Sequence, residues 1–242
     1  MARLYRYQLP RFVERGVQVR PTADIRDSAD NAEQTATSGT YSLFAGSRVV
    51  IDADAVLTVG PPATATIGAA ITADESLSAT WQERWILTFG TTVETFVRPV
   101  YVVRFVPRQV ITDADLFTRH TQLDRLRDRD EADFSTQREE AWTWVERQLI
   151  NRGNRPEWIL DSSELREVHI FKTLHILYRD YASSTAADQR YAELAEEYDL
   201  KAIAEMSDVH LSYDTDQDGT SDEGEKRSAS PILLTNRPPR WV

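Results

Sequence analysis

The stretch VETFVRPVYVVRFVPRQVITDADLFTRH, residues 93–120, holds the change of period that decides the fold. Up to Val106 the residues are β-branched and aromatic, as in a strand. Beyond Pro107 the pattern changes. Thr112-Asp-Ala-Asp115 has the Ser/Thr-x-x-acid form of a helix start, and Leu116, His120, Leu123 and Leu126 continue it at helical spacing. A β-type half therefore precedes a helical half.

Upstream, LSATWQERWILTFG ends at Gly90, and the Gly-Thr-Thr turn joins it to the strand from Val93 as a hairpin. Pro99 inside the second strand implies a bulge or an edge position. Trp81 and Trp85 stand four apart on one strand face and should form core. Further upstream, Tyr41–Phe44, Arg48–Ile51, Ala55–Val59 and Ala63–Ile71 read as short strands separated by Gly, Pro, Asp and Ser. Residues 21–39 are polar and small, a loop by composition. Residues 1–16 carry arginines among aromatics and are interrupted by Pro10, so they read as an arm or first edge strand. About seven strands at this spacing suggest a small β-sandwich or open barrel over residues 1–106.

Downstream, Thr136-Gln-Arg-Glu139 reads as a second capping box. Its helix carries Ala141, Trp144, Val145, Gln148 and Leu149 on one face and stops at Gly153. Asp161–Ser163 opens a third helix with Leu165, Val168, Phe171, Leu174, Leu177 and Tyr181. A fourth carries Tyr191, Leu194, Ala195, Tyr198, Ala202, Ile203 and Met206. Short links predict a small, roughly antiparallel bundle over residues 107–206. Residues 207–242 form an acidic loop and a C-terminal arm. Residues 207–225 hold seven acidic and no Lys or Arg side chains. The terminal SPILLTNRPPRWV is too short to fold alone; it is either disordered or docked on a neighbour, for example as an added strand. The expected class is thus α+β: an N-terminal β-sandwich-like domain, a four-helix bundle and an extended arm.

Composition narrows the function. The net charge of −11 disfavours a protein that grips duplex nucleic acid, whose surface is usually basic. The chain has no cysteine, which excludes a disulfide frame, a thiolate metal site and a thiol nucleophile. No stretch approaches the roughly 20 apolar residues of a membrane span, and the N-terminus does not resemble a signal peptide. Lysine occurs only at 172, 201 and 226, and the remaining basic residues are arginine, a skew that fits a GC-rich genome better than a high-salt host.

The sharpest local motif is DTDQDGTSDEGE, residues 214–225. Asp214, Asp216, Asp218, Thr220, Asp222 and Glu225 fall where a calcium loop has its ligands, with Gly219 at the sharp turn and Thr220 supplying a backbone carbonyl. The flanks are not those of an EF-hand: VHLSY looks extended and GEKRSASP is a poor helix. The alternatives are a structural calcium loop and a solvated acidic turn. His169 and His175 are six apart, not the i, i+4 spacing of a helical metal pair. Adjacent carboxylates such as Glu139/Glu140, Glu196/Glu197 and the nearby Asp128/Asp130 read as solvated faces. With no phosphate loop, nucleophile elbow or HExxH in the sequence, no catalytic role is expected. Trp142 and Trp144 lie about 200° apart around a helix, so one of them should meet a partner. Trp142, Trp144, Trp158 and Trp241 are the candidate interface anchors.

VITDADL (110–116), AWTWVERQLINRGNRPEWIL (141–160), SSELREVHIFKTLHILYRDYA (162–182) and the helix from Tyr191 to Met206 together resemble the head–tail connector (head-completion, or adaptor) proteins of long-tailed bacteriophages. The acidic YDTDQDG turn (213–219) and a terminal extended segment suit that family too. The resemblance covers roughly residues 110–234, a general pattern and not a sharp signature, and the smallest members of the family lack a β-domain like residues 1–106. It implies a connector-type bundle in a ring, typically twelve-fold, between portal and tail in the virion neck, assembled in the host cytoplasm. The implied partners are the portal protein, the next tail or stopper component and further copies of the chain, with genomic DNA passing through the lumen unbound and no membrane. No cofactor is implied beyond a possible structural calcium. A reading of another class is a calcium-stabilised β-sandwich that binds a ligand or acts as a surface module; a hydrolase using acidic residues is a third.

Overall fold

A computed structural model describes residues 3–7, 9–123, 132–184, 189–221 and 225–228. Asp222, Trp241, the Asp128/Asp130 pair and most of the C-terminal arm lie outside the described residues. The chain is mixed α+β and forms two compact units. The first comprises residues 1–107 with 156–160 and 214–220; the second comprises 108–155, 161–213 and 221–242.

The first unit is built on one five-stranded sheet. Its strands are β2 (Arg11–Glu14), β5 (Ser38–Ala45), β6 (Arg48–Ala55), β8 (Ser78–Phe89) and β9 (Thr92–Val103), in the order β2-β9-β8-β5-β6. All neighbours are antiparallel except β2, which runs parallel to β9. The β8–β9 hairpin is the expected one: Phe89 faces Thr92 across a turn in which Gly90 takes φ 61°, a conformation that favours glycine. Pro99 pairs in register with Gln82 and carries no bulge; the shift lies between Ser78 and Trp81. The β2 pairing begins only at Val100, so Pro99 occupies a stretch of β9 flanked by a strand on one side, which a missing N–H tolerates.

Alternation sends Trp81, Trp85, Leu87, Phe96, Val100 and Val102 to one sheet face, where they join Tyr41, Leu43 and Ile51 in the core. Trp85 packs edge-on to Tyr41 at 4.7 Å between ring centroids. The other side of this core is not a second full sheet. It is made by the two-residue pair β3 (Thr22–Ala23) and β7 (Ala63–Thr64), with Ile25, Ala36, Ala65 and Ile67. Three sequence assignments change accordingly, the first being Ala55–Val59, where β6 ends at Ala55 and only an isolated bridge from Thr58 to Thr64 follows. Residues 21–39 contain β3 and β4 (Ile25–Asp27), the latter paired with β1 (Arg3–Tyr5). The run Ala63–Ile71 is mostly not strand; it ends in a short helix, α1 (Ala69–Thr72). Ala65 and Ile67 there supply buried groups to the core rather than a ladder.

The second unit holds α2 (Asp113–Arg119), α3 (Ser135–Asn151), α4 (Arg166–Ser184) and α5 (Gln189–Asp208), with the small hairpin β10 (His210–Ser212) and β11 (Lys226–Ser228). The Thr112 capping box forms, its N–H donating to Asp115 at 2.7 Å. The box expected at Thr136 does not start α3. The helix begins one residue earlier, where Asp133 accepts from the Ser135 N–H at 2.9 Å. Gly153 ends α3 with φ 75°, and the Gly153 and Asn154 N–H groups close onto Ile150 and Leu149. Helix α4 packs against both α3 and α5. It is therefore buried on most sides between Val168 and Tyr178, which is why its apolar pattern is broader than one stripe. Helix α2 has only seven residues, so among the described residues the unit rests on three long helices and one short one.

Candidate functional site

The acidic turn is part of the first unit, and an arginine from β9's end holds it. The Asp214 side chain is fully buried. Its backbone N–H donates to the Trp158 carbonyl at 2.9 Å. One carboxylate oxygen accepts from the Gly219 N–H at 3.2 Å, and the other forms an ion pair with the Arg104 guanidinium. Arg104 also donates to the Gln217 carbonyl at 2.5 Å. Gln217 takes φ 67°, and its side-chain oxygen accepts from Arg15 at 3.3 Å and from the Leu77 N–H at 3.2 Å.

The rest of the turn is self-braced. Asp216 accepts from the Asp218 N–H at 3.2 Å, and Asp218 accepts from the Thr220 N–H at 2.7 Å and its hydroxyl at 2.8 Å. Gly219 takes φ 98°, a conformation that favours glycine, and a Cβ there would sit 3.2 Å from an Arg104 nitrogen.

Oxygens of Asp214, Asp216 and Asp218 lie within 4.8 Å of one another, with Asp214 buried and the other two exposed. A hard cation takes six to eight oxygens at about 2.3–2.6 Å. Here Arg104 already neutralises the buried carboxylate, so a cation would have to displace a guanidinium. Of the remaining expected ligands, Thr220 is in this turn, Asp222 lies outside the described residues, and Glu225 falls in the second unit. What the arrangement does on its own is fasten a distant stretch of chain to the end of β9.

The candidate interface tryptophans fall in different places. Trp142 is buried in its own unit, 5.1 Å from the His169 ring, and its indole N–H donates to Glu146 at 3.0 Å. Trp144 is the half-buried member of the pair, with the Lys172 ammonium 4.7 Å from its ring centroid. Trp158 is half-buried in the first unit, in a 3-10 turn spanning Pro156–Trp158. Around Trp142 two titrations shift in opposite senses. Burial pushes the Glu146 carboxyl up to about 7, against the indole hydrogen bond that favours its charged form. Burial likewise pushes His169 down to about 4, and its Nε2 lies 2.9 Å from the Arg138 carbonyl.

Three features escaped the sequence reading. Arg104 is one. The second is Glu83, fully buried and gripped by Arg11 through two contacts at 2.8 and 3.1 Å and by the Tyr5 hydroxyl at 2.7 Å. A signal was available: Glu83 lies midway between Trp81 and Trp85, so alternation puts it on the same buried face. The third is helix α5. Ile203 was expected inside with Met206, yet Leu200 and Ile203 are 62% and 42% exposed, Leu200 opposite Ala202 and Ile203 at the edge of the face that Met206 buries. Set against protein-family models, curated proteins and solved structures, the chain matches none of them.

Proposed function

We propose that this protein is a virion structural component, the connector ring between portal and tail of a long-tailed phage or related virus, without catalysis of its own. In this reading the first unit is a sandwich-like accessory domain and the second a connector-type bundle. The observation that carries it is the pair of exposed apolar side chains, Leu200 and Ile203, on α5. Tyr198, Ala202 and Met206 face the unit's core, while Leu200 and Ile203 face out. Contact with another copy in a ring removes such groups from water. Another copy of the chain is the partner that a ring supplies, and the family resemblance of residues 110–234 points to the same arrangement. The net charge of −11 suits a lumen through which DNA slides without adhering.

Sedimentation velocity of the wild type and of a Leu200→Asp/Ile203→Asp variant tests this contact. The proposal expects a concentration-dependent multi-subunit boundary for the wild type and a monomer for the variant. Identical sedimentation of the two would remove α5 as the ring contact.

A second reading, a calcium-stabilised ligand-binding module, draws on the three clustered aspartates. It requires calcium to displace Arg104, and calcium-dependent melting of a soluble monomer is its signature.

A further inference from the structure

Within the second unit, the α2 C-terminus and the facing ends of α4 and α5 line a half-open cavity of about 540 Å³. Among the described residues its walls combine two chemistries. Tyr181 and Tyr191 present half-buried rings, edge-on to each other at 4.6 Å, over a buried Tyr178 that is itself stacked between Tyr191 at 6.1 Å and Tyr198 at 5.7 Å. Arg119 and Arg190 place two exposed guanidiniums at the rim. His120 completes the wall, with its Nε2 2.5 Å from the Tyr198 hydroxyl.

This is a cationic, aromatic pocket in a chain of net charge −11. Burial, then the nearby charges of Lys201 and Arg119, hold His120 below its ordinary pKa, which leaves the imidazole neutral and the arginines as the local positive charge. Arg119 pairs with Glu167 at 2.5 Å; both side chains are partly exposed, and exchanging such a pair for a stronger anion costs about 0–1 kcal/mol. Tyrosine rings and planar guanidiniums both offer flat faces for stacking, and guanidinium also forks onto phosphate. The cavity volume lies within the range of small-molecule sites, about 300–1,000 Å³.

We propose that this cavity binds a nucleotide, a planar base packed against the half-buried rings of Tyr181 and Tyr191 with its phosphate held between Arg119 and Arg190. The same chemistry is offered by a free mononucleotide and by a 5′-phosphorylated end of a nucleic acid strand. Neither source depends on the ring assignment, because the site lies within one unit of one chain.

Isothermal titration of the full chain with adenosine monophosphate, with adenosine, and with oligothymidylate bearing or lacking a 5′-phosphate tests the proposal. We expect saturable binding of at least one phosphorylated probe, and at least tenfold weaker binding of its unphosphorylated counterpart. Arg119→Gln/Arg190→Gln changes only exposed side chains and should weaken that binding at least tenfold with an unchanged melting curve. Tyr191→Leu should weaken it as well. Binding of the mononucleotide alone identifies a free nucleotide; binding that needs the oligonucleotide identifies a strand end. No binding of any phosphorylated probe at millimolar concentration, or binding unaffected by the double arginine variant, overturns the proposal. So does preferential binding of an acidic, tyrosine-containing peptide.

Discussion

Arg104 shows how one side chain decides the meaning of a motif. The spacing of Asp214, Asp216 and Asp218 is legible in the sequence, and the structure brings their carboxylates together. The guanidinium that meets the buried one comes from 110 positions upstream in linear sequence, where no local pattern announces it. Removing one partner of a buried ion pair costs about 3–5 kcal/mol. Arg104→Gln should therefore lower stability by that order in denaturant melts. Because it frees Asp214, millimolar calcium should recover part of the loss in the variant while leaving the wild type nearly unchanged. An equal calcium response in both proteins would show that the cation and Arg104 do not compete. The charges around Trp142 give a second test. The Glu146 carboxyl is raised above its unfolded value, so the stability it contributes is present at acid pH and lost as pH climbs from about 4.5 through about 7. His169 is depressed, so its contribution is present above about 6.5 and lost as pH falls towards about 4. The two slopes oppose each other between about 4.5 and 6.5, and Glu146 alone acts above that window. Glu146→Gln keeps an acceptor for the Trp142 indole and should melt roughly 2–4 °C above the wild type at pH 8, with the gap closing towards pH 5. A gap that does not change with pH would contradict this assignment.

At the scale of elements, most of the order along the chain was readable from period and caps. The hairpin at Gly90, the capping box at Thr112 and the stop at Gly153 each rest on local chemistry, and each forms where that chemistry says. The failures share a different cause. Ala63–Ile71 has strand composition, yet its residues pack as core filler against the sheet, a tertiary use that overrides propensity. Helix α3 starts at Ser135 because Asp133 reaches its N–H group, a competitor to Thr136 that spacing alone does not rank. Ile203 satisfies the helical stripe as well as a core residue does, and only packing shows that it faces outward. The sheet itself contains a tight point. A Cβ at Gly39 would lie 2.4 Å from a Leu87 methyl and 3.0 Å from the Ile86 carbonyl across the β5–β8 ladder. Gly39→Ala should cost about 1–3 kcal/mol, as overpacking does, whereas Gly46→Ala meets no neighbouring atom and carries only the strain of its positive φ. Parallel thermal melts of the two variants separate crowding from backbone strain.

At the scale of the whole molecule, the sequence division after Val106 marks where β structure gives way to helix. It does not show that residues 156–160 and 214–220 return to the first unit. Such returns are held by Arg104, the Trp158 carbonyl and Gln217, contacts between distant positions that composition cannot reveal. We propose that the exposed Leu200 and Ile203 of α5, in a chain of acidic overall charge, join it to further copies as one subunit of a ring seated on a portal. The most direct measurement is negative-stain electron microscopy of the protein mixed with portal particles, beside the Leu200→Asp/Ile203→Asp variant. Ring assembly through α5 places an added tier on the portal with the wild type and none with the variant. Bare portals and isolated monomers in the wild-type sample would contradict it.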